Sequence, residues 1–115
     1  MTGEAETSGD DGFRDVAALA DLVPGAKLAC DVDGRSVLVC NAGGEVHAVE
    51  NACTHAGIPL ASGRLRGCIL ECPMHGGRFD VRDGRPVAGP PRRALARFEV
   101  RIRDGRVAVR VAPES

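Results

Sequence analysis

The chain has 115 residues, a formal net charge of −1, 43% hydrophobic residues and only three aromatic residues, all phenylalanine. A chain of this length fits one domain with a small core, and near-neutral charge with so few aromatic residues argues against nucleic-acid binding. No stretch resembles a signal peptide or a membrane span. We therefore expect a cytoplasmic protein that binds neither nucleic acid nor membranes.

Charge is distributed unevenly along the chain. Residues 1–12 are acidic and polar, which predicts a disordered tail. Residues 1–50 carry a net charge of −7 and residues 51–115 a net charge of +6, and every base in the second part is arginine. Such charge is most often a solvated surface, although exposed arginine also suits the docking of acidic partners.

The first half of the chain predicts a short strand, a turn and a hairpin. These segments are an edge strand over Phe13–Ala17, a loose turn at Leu19–Leu22, and a hairpin of Lys27–Val32 with Arg35–Asn41. Asp33-Gly34 between alternating apolar residues indicates a two-residue turn. The resulting register places Cys30 and Cys40 on opposite faces, so a disulfide between them is disfavoured.

The second half continues as short strands separated by glycine-containing turns. Its predicted strands are Val46–Glu50, Cys68–Glu71 and Arg78–Val81, followed by a hairpin of Leu95–Ile102 with Arg106–Val111. No segment of useful length shows helical periodicity. The regular spacing of turn residues therefore predicts an all-β domain of about eight to ten short strands.

Two segments bring together the residue types that bind metals. They are Cys53-Thr54-His55 and Cys72-Pro73-Met74-His75. Two buried cysteines with two surface histidines would be the alternative, but four such residues at this spacing favour a metal site. The other cysteines, Cys30, Cys40 and Cys68, are expected to be buried thiols. His47, in the middle of a predicted strand, is not expected to be a ligand.

The C-x-H and C-x-x-H order resembles the Rieske iron–sulfur family. The flanking residues also match: Ala56-Gly57 after the first histidine, and Gly76-Gly77-Arg78-Phe79-Asp80 after the second. The resemblance implies one 2Fe–2S cluster, with Cys53 and Cys72 on one iron and the Nδ1 atoms of His55 and His75 on the other.

The resemblance also implies the architecture. Rieske domains are three-layer antiparallel β-sandwiches in which the cluster-binding loops form a tip subdomain. We expect residues 13–111 to form this domain, with the tip subdomain at about residues 51–91 and Gly89-Pro90-Pro91 as the proline loop that covers the cluster.

Departures from the respiratory Rieske proteins bear on the redox potential. Those members carry a disulfide between the two loops, where this chain has Ile58 and Met74, and they carry hydroxyl donors where this chain has Gly77 and Phe79. The resemblance thus gives no support for quinol oxidation. Without hydroxyl donors to the cluster sulfurs, we expect a potential at the low end of the Rieske range, about −150 mV.

These features predict a monomeric one-electron carrier. The sequence has no catalytic constellation, and protein ligands at all four positions leave no open site for substrate. The resemblance implies that the protein passes electrons from a flavin- or NAD(P)H-linked reductase to an oxygenase or a similar terminal enzyme. The alternatives are a small subunit like that of nitrite reductases and, in a different class, a structural zinc-binding module.

Four arginines flank the metal-binding segments in predicted turns, namely Arg64, Arg66, Arg92 and Arg93. If they gather at the tip, they form a positive patch that attracts acidic partners. The alternative is a scattered set that only improves solubility.

Overall fold

Short runs of aliphatic and β-branched residues form the strands, because such side chains pack well on a pleated, half-buried surface. The computed structural model describes residues 12–54, 57–74 and 76–111. Within these ranges it has ten strands, all paired antiparallel, and two single-turn 3-10 helices. The all-β prediction is confirmed.

The strands are β1 (Phe13–Ala18), β2 (Lys27–Val32), β3 (Arg35–Ala42), β4 (Glu45–Glu50), β5 (Arg64–Arg66), β6 (Ile69–Glu71), β7 (Arg78–Asp80), β8 (Pro86–Ala88), β9 (Arg97–Arg103) and β10 (Arg106–Arg110). The 3-10 helices are Leu19–Asp21 and Leu60–Ser62. A six-stranded sheet has the order β1-β10-β9-β4-β3-β2, and a four-stranded sheet has the order β5-β6-β7-β8.

Strand β3 is the middle of the molecule because it is buried on both faces. Val37 and Val39 face one apolar core, which also contains Val107 and Val109 from β10. Leu38 and Cys40 alternate with them and face a second core, which contains Leu70, Phe79 and the two cysteines of the predicted metal site. The three layers implied by the Rieske resemblance are therefore present, with β3 and β4 between the two cores.

The hairpin of β2 and β3 has the predicted register. Leu28 pairs with Val39 and Cys30 pairs with Val37, and the turn residues Asp33 and Gly34 have φ angles of 50° and 84°. Positive φ at both positions is the requirement of the predicted two-residue turn. Cys30 and Cys40 pack in different cores, and all five cysteines are unpaired.

The structure adds elements that the sequence pattern did not predict. Strands β5 and β8 and the helix Leu60–Ser62 are each three residues long, too short for periodicity to be visible. The final hairpin begins at Arg97 rather than Leu95, because Leu95 donates its backbone N–H to Gly84 O instead. β5 and β8 form the two edges of the four-stranded sheet.

In the part of the chain that is described, no helix is long and apolar enough to cross a membrane. The predicted acidic tail, except Gly12, lies outside the described residues. The domain boundaries at 13–111 and about 51–91 remain predictions.

A buried carboxylate fixes the turn that follows β7. Asp80 is only 2% exposed, and its Oδ2 accepts a 2.7 Å hydrogen bond from Arg82 Nη2 while its Oδ1 accepts one of 2.9 Å from Arg82 N. Its backbone carbonyl also accepts a 2.6 Å hydrogen bond from Gly84 N. The side-chain hydrogen bonds from Arg82 lower the pKa of Asp80 below its ordinary value, against the opposing effect of burial.

This arrangement predicts the effect of Asp80→Asn. A group whose pKa is lowered on folding stabilises the fold above its unfolded pKa, about 3.9 for aspartate, and loses that contribution as pH falls through the folded value. The variant should therefore have a lower free energy of unfolding at pH 7, and the deficit should shrink below about pH 3.9. Urea unfolding from pH 2 to pH 8 measures this, and a deficit that is constant with pH would contradict it.

Candidate metal centre

The two predicted cysteine ligands begin loops that leave different sheets. Cys53 follows β4 and Cys72 follows β6. Each cysteine is 2% exposed, and both lie in the apolar core that contains Leu60 and Phe79. His55 and His75 lie outside the described residues, so their roles as ligands remain predictions.

The two cysteine loops share one backbone arrangement. Cys53 donates its N–H to Ile58 O at 2.8 Å, and Cys72 donates its N–H to Gly77 O at 2.7 Å. Each acceptor is the fifth residue after its cysteine, and the fourth residue is a glycine with positive φ, 72° at Gly57 and 70° at Gly76. Glycine adopts this conformation without steric cost. Two unrelated stretches of sequence thus present a cysteine at the start of the same kind of loop.

A third loop packs directly on the second cysteine loop. A Cβ atom at Gly89 would lie 2.7 Å from Gly77 Cα, and one at Gly77 would lie 2.7 Å from Pro91 Cγ. No Cβ fits at either distance, so both positions require glycine. Pro91 is buried by this contact. The proline loop, residues 89–91, is therefore in contact with the loop of Cys72. That it covers the cluster, as the resemblance implies, remains a prediction.

The segment after the proline loop is joined to the first cysteine loop. Thr54 Oγ1 donates a 2.7 Å hydrogen bond to Arg93 O. At the end of β4, Glu50 Oε1 accepts a hydrogen bond of 2.7 Å from Ala96 N, and Glu50 N donates one to Ala96 O. Residues 89–96 consequently contact both cysteine loops and hold them together.

Asn51 has a structural role that the sequence analysis missed. Its Oδ1 accepts hydrogen bonds from Leu60 N at 2.9 Å and Ala61 N at 3.0 Å, and its Nδ2 donates to Ser36 Oγ at 3.2 Å. These contacts join the two ends of the first cysteine loop to β3. An asparagine directly after a strand is the available signal, because its side chain often bonds nearby backbone groups at turns.

The remaining cysteines are poor candidates for metal ligands. Burial raises the pKa of Cys40 to about 12, and burial together with the charge of Asp31 raises the pKa of Cys30. Both lie on strands, β2 and β3, outside the two cysteine loops. Cys68 is partly buried against the core of the cysteine loops. His47 lies on β4, with its Nε2 at 3.5 Å from Glu45 Oε1.

The described residues fit a Rieske cluster. Two buried cysteines enter one apolar core from two matched loops. Gly77 and Gly89 lack side chains where the Cys72 loop and the proline loop touch, so the two backbones can lie in contact. The two buried cysteines therefore supply the sulfur half of the ligand set of that cluster, and the imidazoles of His55 and His75 remain the predicted other half.

The site offers no room for one of the hydroxyl donors of respiratory Rieske proteins. A side chain at Gly77 would collide with the ring of Pro91, and Phe79 is fully buried in the core without a polar group. The expected low potential remains a prediction, and Gly77→Ser would test it poorly because the proline loop would have to move.

The four flanking arginines fall into two groups. All are exposed, but Arg93 lies 3.5 Å from Glu50 Oε1, near the first cysteine loop. Arg64 and Arg66 lie on strand β5 of the four-stranded sheet. The sequence predicted all four in turns, and this is wrong for Arg64 and Arg66, which are strand residues.

The glycine contact yields a prediction for Gly89→Ala. Gly43 provides a matched control, since it also has a positive φ of 66° but open space around its missing side chain. Gly43→Ala should cost about 1 kcal/mol from backbone strain alone. Gly89→Ala should cost distinctly more and should lower the iron retained after purification, because the proline loop must separate from Gly77. Equal losses of stability and iron in the two variants would contradict this.

Comparison with known proteins places the site in a family. The Rieske [2Fe-2S] domain matches residues 13–99. The ferredoxin component of a naphthalene 1,2-dioxygenase system from Pseudomonas putida is 34% identical over 95 residues, covering 83% of this chain and 91% of that protein.

Solved ferredoxin structures also resemble this chain. The ferredoxin of carbazole 1,9a-dioxygenase from Nocardioides aromaticivorans IC177 has a TM-score of 0.83 and 37% identity, with 87% of this chain and 98% of that one covered. A complex of reduced oxygenase and oxidized ferredoxin in carbazole 1,9a-dioxygenase contains a chain with a TM-score of 0.82 and 34% identity, with 88% and 94% covered. On this evidence, together with the matched cysteine loops, the chain belongs to the Rieske 2Fe–2S domain family.

Proposed function

We propose that this protein is a Rieske ferredoxin whose cluster is held by Cys53, His55, Cys72 and His75. The observation that carries this is the pair of matched loops, each beginning with a buried cysteine, inside a domain that matches the Rieske family. The protein is an electron carrier and not an enzyme. The ferredoxin components that it resembles over most of their length are electron carriers of dioxygenase systems.

The described residues explain how the chain would hold such a cofactor. When bound, a 2Fe–2S cluster supplies reversible one-electron chemistry. Cys53 and Cys72 offer sulfur ligands from a buried position. The hydrogen bonds from their backbone N–H groups to the carbonyls of Ile58 and Gly77 fix both loops. Pro91 and the apolar core shield this side from water. Fixed loops reduce the movement of protein atoms that would accompany the one-electron change in the charge of the cluster.

The partners follow from the same relatives. One structural relative is a ferredoxin in complex with an oxygenase, and another is the ferredoxin of a dioxygenase. We infer that this chain accepts electrons from a flavin- or NAD(P)H-linked reductase and delivers them to a terminal oxygenase. The segment that reaches the partner is the tip formed by the two cysteine loops and the proline loop, where Met74 is 62% exposed.

The distribution of exposed apolar residues favours a free carrier over a permanent subunit. Among the described residues, the large hydrophobic side chains that are well exposed are Val23, Met74, Val87 and Ile102. Val23 and Met74 lie in loops, Val87 on β8 and Ile102 on β9, so no single described element presents the row of apolar side chains that a permanent interface would use. The nitrite-reductase-like alternative is therefore less well supported, and a monomer in the cytoplasm is the state that we propose.

Metal content tests the cofactor directly. Protein expressed with ample iron and purified without oxygen should contain two irons and two acid-labile sulfides per chain, and the dithionite-reduced form should give an EPR signal with an average g value below 2. Zinc in place of iron would support the structural zinc module instead. A colourless protein would show that no ferric cluster is bound, since ferric clusters absorb visible light.

Ligand exchange tests the histidines. His75→Cys replaces a neutral ligand with an anionic one, so the reduced cluster would carry an additional negative charge and its reduction potential should fall. His55→Cys should behave in the same way, and His47→Cys serves as the control because His47 lies on β4 outside both loops. Protein-film voltammetry measures the potentials. An unchanged potential in a variant with an intact cluster would remove that histidine from the ligand set.

A further inference from the structure

The outer face of the four-stranded sheet carries an arginine-lined groove. Strand register places Arg64, Glu71 and Arg78 in one row across β5, β6 and β7, and places Arg66 beside Ile69 in the next row. These five residues line an open groove of about 510 Å³. Their neighbours in sequence, including Leu70 and Phe79, point into the core instead, as strand alternation requires.

The groove has an excess of positive charge. It contains three arginines and one carboxylate, and that carboxylate is already engaged, since Glu71 Oε2 accepts a 3.3 Å hydrogen bond from Arg78 Nε. Arg64 and Arg66 make no ion pair with any other residue that the structure describes. Two guanidinium groups are thus available on one face, above the partly buried apolar side chain of Ile69.

The groove leads to the second cysteine loop. A neighbouring depression is lined by Arg64 and Glu71 at one end and by Cys72, Pro73 and Gly76 at the other. The two depressions share Arg64 and Glu71 and therefore adjoin each other. A segment that lies along the arginines would therefore end beside the loop that begins with Cys72.

We propose that this groove binds an acidic, extended segment of the redox partner. Arg64 and Arg66 are two residues apart on a strand, so their backbones are separated by about 6.6 Å, which is also the spacing of alternate residues in an extended peptide. Carboxylates at alternate positions would meet the two guanidinium groups, and arginine binds carboxylate in a planar two-point geometry. The inference rests on the proposed electron-carrier function and adds a recognition surface to it.

The alternative is that these arginines only solvate the sheet, as surface charges usually do. A control pair separates the two explanations. Arg97 and Arg103 are also exposed and lie on β9 of the other sheet. Arg64→Gln with Arg66→Gln, and Arg97→Gln with Arg103→Gln, change the net charge equally but only the first pair changes the groove.

The test uses cluster-loaded protein and fluorescein-labelled hexaglutamate as the probe, with binding followed by fluorescence anisotropy. The peptide should bind the parent protein, and more weakly as ionic strength rises past about 0.1 M, where the screening length is about 10 Å. The groove variant should bind about five-fold more weakly or worse, since an exposed charge pair contributes modestly and two such pairs are lost. The control variant should lose less than about two-fold.

A second readout connects the groove to the electron path. Bound hexaglutamate should slow the oxidation of the reduced protein by ferricyanide, because negative charge beside the loop of Cys72 repels an anionic oxidant. The groove variant should lose this inhibition. No peptide binding, equal weakening in both variants, or binding without inhibition would each overturn the inference. The visible and EPR spectra of the same samples show whether a Rieske cluster is bound. A failure of the electron-carrier proposal can therefore be distinguished from a failure of the groove proposal.

Discussion

The contact between Gly77 and the proline loop is the constraint on which the tip of this protein depends. The missing side chains at Gly77 and Gly89 allow two backbones to touch, and Pro91 then seats against the Cys72 loop. Any larger residue at either glycine would separate the loops. The same segment continues to Arg93, whose carbonyl accepts the hydroxyl of Thr54. One stretch of chain thereby holds both cysteine loops, which lie nineteen residues apart at their cysteines.

The central strand supports this tip from below. β3 contributes Leu38 and Cys40 to the core beneath the cysteine loops, and Val37 and Val39 to the core on its opposite face. A strand with two buried faces cannot shift by one residue without exchanging the contents of both cores. The position of the first cysteine loop is therefore fixed through β4, the neighbour of β3.

Arginine serves two distinct purposes on the four-stranded sheet. Arg82 binds the buried carboxylate of Asp80 and fixes the turn after β7. Arg64 and Arg66 form no such pair among the described residues and face the open groove instead. Some arginines of the second half of the chain are thus tied up in structural ion pairs, whereas Arg64 and Arg66 are left to the groove.

Sequence alone determined the features that depend on local chemistry. Asp33-Gly34 requires positive φ angles and so specified the register of the β2–β3 hairpin, including the opposite faces of Cys30 and Cys40. The order of the cysteines and histidines indicated a metal site, and its resemblance to the Rieske family indicated a 2Fe–2S cluster, with a structural zinc module as the alternative. The Rieske resemblance also anticipated the proline loop.

Only the tertiary structure decided the features that depend on residues distant in sequence. Strand β5 is recognisable only through its pairing with β6, and the role of Asn51 only through its bonds to Leu60 and Ser36. Nor does the pattern of the chain indicate that Arg64 shares a groove with Arg78 while Arg93 lies beside Glu50. Local sequence limits each residue's own backbone, whereas burial and pairing depend on which other segments the fold brings alongside it.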